Sequence, residues 1–248
     1  MQVSISPDAA TMAKAAAQHG AELVRQAINE RGQANIIVAT GASQLGMLSN
    51  LVAMDDIDWQ CVTGFHLDEY IDLPFRHKGS FRGYLWSNFV SQLPVPLRAF
   101  HYLSGEQDAP QECKRVGEIL KQHPVDVAFV GIGENGHLAF NDPPADFETE
   151  EPYLCVALDE ACRQQQTGEG WFATLDDVPT HAITMSIKQI LKTNHIVCTV
   201  PDERKAQAVR NALEGPVTST VPASILQQHE ATTLFLDAPA ASQLEKSY

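Results

Sequence analysis

Val125-Asp126-Val127-Ala128-Phe129-Val130-Gly131-Ile132-Gly133-Glu134-Asn135-Gly136-His137-Leu138-Ala139-Phe140-Asn141-Asp142-Pro143 is the stretch whose reading decides the fold. Its first six residues are mostly apolar and read as a buried strand. Three glycines then fall within six residues, Gly131, Gly133 and Gly136, and let the backbone turn sharply and approach a ligand without Cβ clashes. Into that opening the chain places an imidazole, His137, with a carboxylate, Asp142, five residues on. Histidine exchanges protons near neutral pH, and a neighbouring carboxylate can fix its tautomer. Alone, the string is equally a glycine-rich turn with a surface histidine. Its surroundings decide between the two.

Outward from this strand the chain alternates helical patterns with short apolar runs. Ser6-Pro7-Asp8 reads as an N-cap and first turn, followed by Ala13, Ala17, Ala21, Val24 and Ile28 on one helical face. Strands are expected at 36–39, 62–67, 100–103, 195–200 and 232–236. Helices are expected at 45–54, from Ser80, at 111–122, 184–191 and 202–213, and from Ala223. Between Pro143 and about Pro179 the pattern weakens, which suggests a mobile or lid-like excursion. Near-continuous apolar strands alternating with helices predict a mostly parallel sheet covered on both faces, and one α/β domain over 1–248.

Composition narrows the function. With 248 residues the chain can bury a full core. A formal charge of −14 argues against nucleic acid and anionic membranes as partners. The five cysteines are scattered and lack C-x-x-C spacing, as expected of reduced thiols in a cytoplasmic protein. No apolar run is long enough to span a bilayer, and the N-terminus does not read as a signal peptide. The histidines show no metal-ligand spacing, so no metal is expected. His66 cannot be placed relative to the strand ends, and Trp171-Phe172 reads as core or as an apolar lid contact.

Ligands bind beyond the carboxyl ends of such strands. Those ends carry Thr40-Gly41-Ala42-Ser43, opening a helix; Asp68 and Glu69; His137 with Asp142; and Arg204-Lys205 in the first turn of a helix. Small and hydroxyl residues at a helix start suit a phosphate. Two cations at another helix start are unfavourable to its dipole unless an anion lies between them.

Four blocks here resemble the glucosamine-6-phosphate deaminase/isomerase family, over nearly the whole length: Ala39 to Ser43, Phe65-His66-Leu67-Asp68-Glu69-Tyr70, Gly131 to Asn141, and Lys205 through Gly215. The second and third blocks are the specific ones. The resemblance implies a single-domain, three-layer αβα sandwich with a Rossmann-like doubly wound sheet. It further implies conversion of an amino-sugar phosphate, glucosamine 6-phosphate, to fructose 6-phosphate and ammonia, without metal or cofactor. Asp68 matches the residue that moves a proton between C2 and C1, a task that requires burial to raise its pKa. His137 matches the ring-opening residue, with Asp142 and Asn135 orienting it. Thr40, Gly41, Ser43, Gly136, Arg163, Arg204 and Lys205 match or adjoin the substrate-binding positions. Glu69 reads as a structural carboxylate or a neighbour of the site.

Three positions depart from the family pattern. Asn135 stands where Asp is frequent, and Asp142 where Glu is usual. The second of two family arginines is missing: Arg163 matches the first, but the other position falls within Thr167-Gly168-Glu169-Gly170. Arg204, Arg82 or another residue would then substitute, or the substrate's distal group is not the usual phosphate. Rival readings are an isomerase on another sugar, a 6-phosphogluconolactonase-like hydrolase, which would carry a GHTAS-like string and no LDEY block, and a non-catalytic sugar-phosphate sensor. A homo-oligomer is compatible with the chain.

Overall fold

The computed structural model describes residues 1–248. Its elements, in chain order, begin with β1 (Gln2–Ser6), α1 (Ala9–Arg31), β2 (Ala34–Val38), α2 (Ala42–Val52), β3 (Val62–His66) and β4 (Asp68–Tyr70). There follow α3 (Phe81–Asn88), β5 (Ala99–His101), α4 (Ala109–Leu120), β6 (Val127–Val130), β7 (Tyr153–Ala157) and α5 (Glu160–Gly168). The chain closes with β8 (His181–Met185), α6 (Ile187–Leu191), β9 (His195–Val200), α7 (Ala206–Glu214) and β10 (Thr232–Asp237).

Local chemistry sets these boundaries. The Asp8 carboxylate accepts from Thr11 N at 2.8 Å and starts α1, which Gly32 ends in the left-handed region (φ 73°). The five residues of β2 and the four of β6 are all buried, as strands covered on both faces must be. Seven strands form one sheet in the order β1-β10-β9-β6-β2-β3-β5, every pairing parallel. Alternate residues feed two cores. Ile36, Val38, Val127 and Phe129 pack against α1 and α2, while Ile37, Ala128, Val130 and Cys198 pack against the α4 and α7 side. The sandwich of helices, sheet and helices expected from the sequence is present.

From β2 the chain winds outward through β3 to β5, then returns to lay β6 on the other flank of β2 and winds on through β9. The loops leaving β2 and β6 therefore diverge, and the crevice between them is where a doubly wound sheet binds its ligand.

Four stretches of the chain differ from the expectations. β1 adds an edge strand at the N-terminus. Asp68-Glu69-Tyr70 is not a simple strand-end turn but β4, part of a second, antiparallel sheet of order β4-β8-β7. Thr184 and Met185, expected in a helix, belong to β8. Ser186 breaks the run, its Oγ accepting from Gln189 N at 3.2 Å to cap the short α6. The segment 143–179 contains β7 and α5, the latter capped by Asp159, whose carboxylate accepts from Cys162 N at 2.6 Å.

Candidate active site

The crevice between β2 and β6 opens into a cleft with about 540 Å³ of empty space, lined among others by Thr40, Gly41, Ser43, Asp68, His137 and Lys205. Three ionisable groups from distant parts of the chain meet there almost out of water. Asp68 is 5% exposed, His137 8% and Lys205 5%.

Each wall is built locally. Gly41 caps α2 at φ 98°, a conformation open to glycine, and its carbonyl is held by Tyr84 OH at 2.8 Å. The first N–H groups of α2 are thereby presented beside Ser43 and Thr40, as an anion requires. Gln44, fully buried, ties this helix start to the sheet by donating to Thr199 Oγ1 at 2.8 Å and Val130 O at 3.2 Å.

Asp68 sits on β4 in register with Thr184. Burial pushes its carboxyl well above the ordinary carboxylate range, and the neighbouring charge of Glu69 adds to the effect. Glu69 itself turns away from the cleft. Its carboxylate accepts from Tyr70 N, Ser80 Oγ, Phe81 N, Arg82 N and Arg82 Nε at 2.8–3.2 Å. It is an anchor for the start of α3 and does not line the cavity.

His137 lies across the glycine loop. A Cβ on Gly133 would sit 2.2–2.4 Å from its Cε1, Nε2 and Nδ1 atoms, so that glycine is required by the ring's position. With the catalytic role proposed below for His137, a Gly133→Ala variant is expected to displace the imidazole and cut kcat by about 100-fold. Thermal unfolding with a Tm close to the parent's would show that the loss is local. Asp142 Oδ1 lies 3.3 Å from His137 Nδ1, but Nδ1 makes no aligned hydrogen bond. Burial raises the Asp142 carboxyl, yet His137, the Asp159 N–H and the Asn135 amide outweigh it and hold the group below its ordinary range. Asn135 acts on the loop and not on the ring: its Oδ1 accepts from His137 N at 3.0 Å, and its Nδ2 donates to Asp142 and Asp159 at 3.3 Å. Gly136 closes the same turn, its carbonyl accepting from Ala223 N at 2.9 Å.

Lys205 is the one cation among the lining residues. Burial lowers its pKa, and Glu169 and Glu134 partly restore it; Glu134 Oε1 lies 4.0 Å from Nζ. Arg204 folds back on Asp202, with an Nη2–Oδ2 distance of 2.8 Å, and is half exposed. The anion inferred between the two cations is thus supplied by the chain itself: Glu134 Oε1 lies 3.7 Å from Arg204 Nη1 and 4.0 Å from Lys205 Nζ. Arg163 is likewise directed elsewhere, donating to the carbonyls of Leu175 at 2.6 Å and Val178 at 3.1 Å. Arg82 is bound to Glu69 and Glu106. None of the three arginines lines the cleft, so none takes the place of the missing one there.

The cleft also holds residues that pattern reading did not single out: Gln165, Gln166 and Glu169 from α5 and its C-terminus, with Phe81, Ala139 and Phe140. The signal for α5 was its Asp159 cap three residues before Cys162. His66, unplaced from the sequence, is fully buried; its Nδ1 accepts from Leu103 N at 3.3 Å. Burial, with a contribution from Arg82, pushes its pKa down to about 3, so it stays neutral and serves packing.

A doubly wound αβα sandwich with a carboxylate, an imidazole, a lysine and a helix start around one cleft defines an α/β protein equipped for proton transfer on a small anionic ligand. The family described as glucosamine-6-phosphate isomerases/6-phosphogluconolactonase matches residues 7–235, and the chain belongs to it. Glucosamine-6-phosphate deaminases of Bacillus cytotoxicus and Bacillus thuringiensis are each 35% identical over 227 residues, covering 91% of this chain and 84% of theirs. A solved monomeric glucosamine-6-phosphate deaminase superposes with a TM-score of 0.89 at 29% identity, covering 98% of this chain and 99% of its own. A putative 6-phosphogluconolactonase from Neisseria gonorrhoeae shares the fold, with a TM-score of 0.73 at 20% identity over 96% of this chain and 99% of its own. No helix is long and apolar enough to cross a membrane.

Proposed function

We propose that this protein is a glucosamine-6-phosphate deaminase, converting the amino-sugar phosphate to fructose 6-phosphate and ammonia. The observation that carries the reading is the convergence of Asp68, His137 and Lys205 on one cleft beside the α2 helix start. His137 moves a proton from the anomeric hydroxyl to the ring oxygen as the C1–O5 bond breaks, which opens the sugar. Asp68 takes the proton from C2 of the open chain and returns it to C1, while the aldehyde oxygen takes a proton from the C2 ammonium to become the C1 hydroxyl. The nitrogen at C2 is left as an iminium, which water hydrolyses to the ketone and ammonia. A buried carboxylate with a raised pKa is a competent base for the C2 proton. Lys205 with Thr40, Gly41 and Ser43 holds the phosphate. The α5 segment, which brings Gln165, Gln166 and Glu169 to the rim, serves as the lid of the cleft. Unpaired cysteines fit a reducing cytoplasm.

An ammonia-release assay over hexosamines with and without a 6-phosphate tests this reading. Turnover confined to glucosamine 6-phosphate is expected. Ketose formation without ammonia, or turnover only of unphosphorylated sugars, would overturn it. Glu169 places a negative charge in the cleft near Lys205, opposing a phosphate dianion. Glu169→Gln is therefore expected to lower KM for the phosphorylated sugar severalfold, on the order of 1 kcal/mol. Initial-rate kinetics at low salt measures the change.

A further inference from the structure

His137 faces the cleft with one side of its ring and a second group of ligating atoms with the other. Its Nδ1 is buried and makes no aligned hydrogen bond. Asp142 Oδ1 is 3.3 Å away. Cys162, 1% exposed, completes the group from the first turn of α5. One ligand atom from each of His137, Asp142 and Cys162 lies within 4.8 Å of the others. A buried ring nitrogen left without an aligned partner is destabilising, and bonding to a metal would offset that.

We infer that His137, Asp142 and Cys162 form a site for a thiophilic divalent cation, with zinc the best fit, and that occupancy of this site silences the cleft. An imidazole, a carboxylate and a thiolate are the ligand types that zinc takes, with a fourth position left to water. Zinc bonds of about 2.0–2.3 Å place tetrahedral ligand atoms roughly 3.3–3.7 Å apart. The group therefore closes on the ion by movements of about an ångström. On binding, the Cys162 thiol loses its proton to solvent, and the thiolate and the Asp142 carboxylate balance the two positive charges. A surface depression separate from the cleft reaches Asp142 and is lined also by Asp146 and Asp159, giving a cation an acidic approach. A metal on Nδ1 takes the lone pair of that nitrogen and pulls the imidazole toward Cys162. The silencing rests on the role proposed above for His137; the binding of metal does not.

The test uses the full chain carrying Cys113→Ser and Cys155→Ser, because those two thiols lie 3.6 Å apart and would compete for metal. Titration with cobalt(II) is expected to give a near-ultraviolet thiolate-to-metal charge-transfer band saturating at one equivalent. Addition of Cys162→Ala should abolish the band, with circular dichroism reporting its fold. Asp142→Asn, which keeps the thiol, should retain the band but need about tenfold more cobalt. Zinc should lower ammonia release, reversed by a chelator, and Cys162→Ala should need about tenfold more zinc for the same fractional loss relative to its own chelated rate. No band at one equivalent, or a band that survives Cys162→Ala, overturns the site. A Cys162-dependent band with turnover unaffected by zinc upholds the site and refutes the role given to His137.

Discussion

Replacing Asp68 by asparagine is expected to lower kcat by about 10²–10⁴-fold, the range that a positioned acid–base group supplies, with little change in KM. Asparagine fills the same space on β4 but cannot accept the C2 proton. The pH dependence follows from the direction of the shift. Burial, then the Glu69 charge, raises the Asp68 pKa well above its ordinary value, so the carboxylate form to which the proposed mechanism assigns the proton abstraction appears only as pH rises through that elevated value. The acid limb of kcat/KM should lie well above the ordinary carboxylate range. Stability runs the other way. A carboxyl whose folded pKa is raised contributes stability below its unfolded pKa and loses it as pH rises through the folded one. Asp68→Asn should thus be more stable than the parent on the alkaline side and equal to it in acid, where both side chains are neutral. Steady-state ammonia release and denaturant melts at several pH values measure both effects. A variant retaining a tenth of parental kcat would remove Asp68 from the chemistry.

The parts of this site that were legible in the sequence share one property: their position follows from a neighbouring strand. Apolar runs such as Ile36 to Ala39 and Val127 to Val130 are buried on both faces, and that run of apolar residues fixes where their carboxyl ends, with Thr40-Gly41 and the glycine loop, must lie. Where side chains choose between partners, sequence was silent. Arg204 and Lys205 are adjacent, yet Asp202 takes the first and the cleft takes the second. Arg163 sits where a substrate contact was expected and instead closes the loop around Leu175 and Val178. β4 was hidden because Asp68-Glu69-Tyr70 has too few apolar residues to announce a strand; its pairing with β8 is decided by tertiary contact. β8 and α6 merged into one expected helix because their apolar residues run on across Ser186. The polar α5, rich in glutamine, showed no periodic face, and it brings the unexpected Glu169 to the cleft.

Glu69→Gln is expected to destabilise the fold by about 3–5 kcal/mol, the range for breaking a buried charged pair. The geometry explains why so small a change costs so much. Glu69 is fully buried, and every group around its two oxygens is a donor. Oε1 accepts from Tyr70 N and Phe81 N, while Oε2 accepts from Ser80 Oγ, Arg82 N and Arg82 Nε. An amide oxygen can satisfy the partners of one position, but the NH₂ must then face either the two N–H donors of Oε1 or the three donors of Oε2, and the Arg82 guanidinium has lost one of its two carboxylate partners. Urea unfolding should show a lower midpoint with an unchanged slope, since the exposed surface of the unfolded chain is the same. The same substitution reports on the neighbouring base. Removing the Glu69 charge removes one of the two causes that raise Asp68, so the acid limb of kcat/KM should move to lower pH in whatever fraction remains folded. A midpoint within error of the parent's would mean that Glu69 is not an ionised anchor, and an unmoved acid limb would mean that burial alone sets the base.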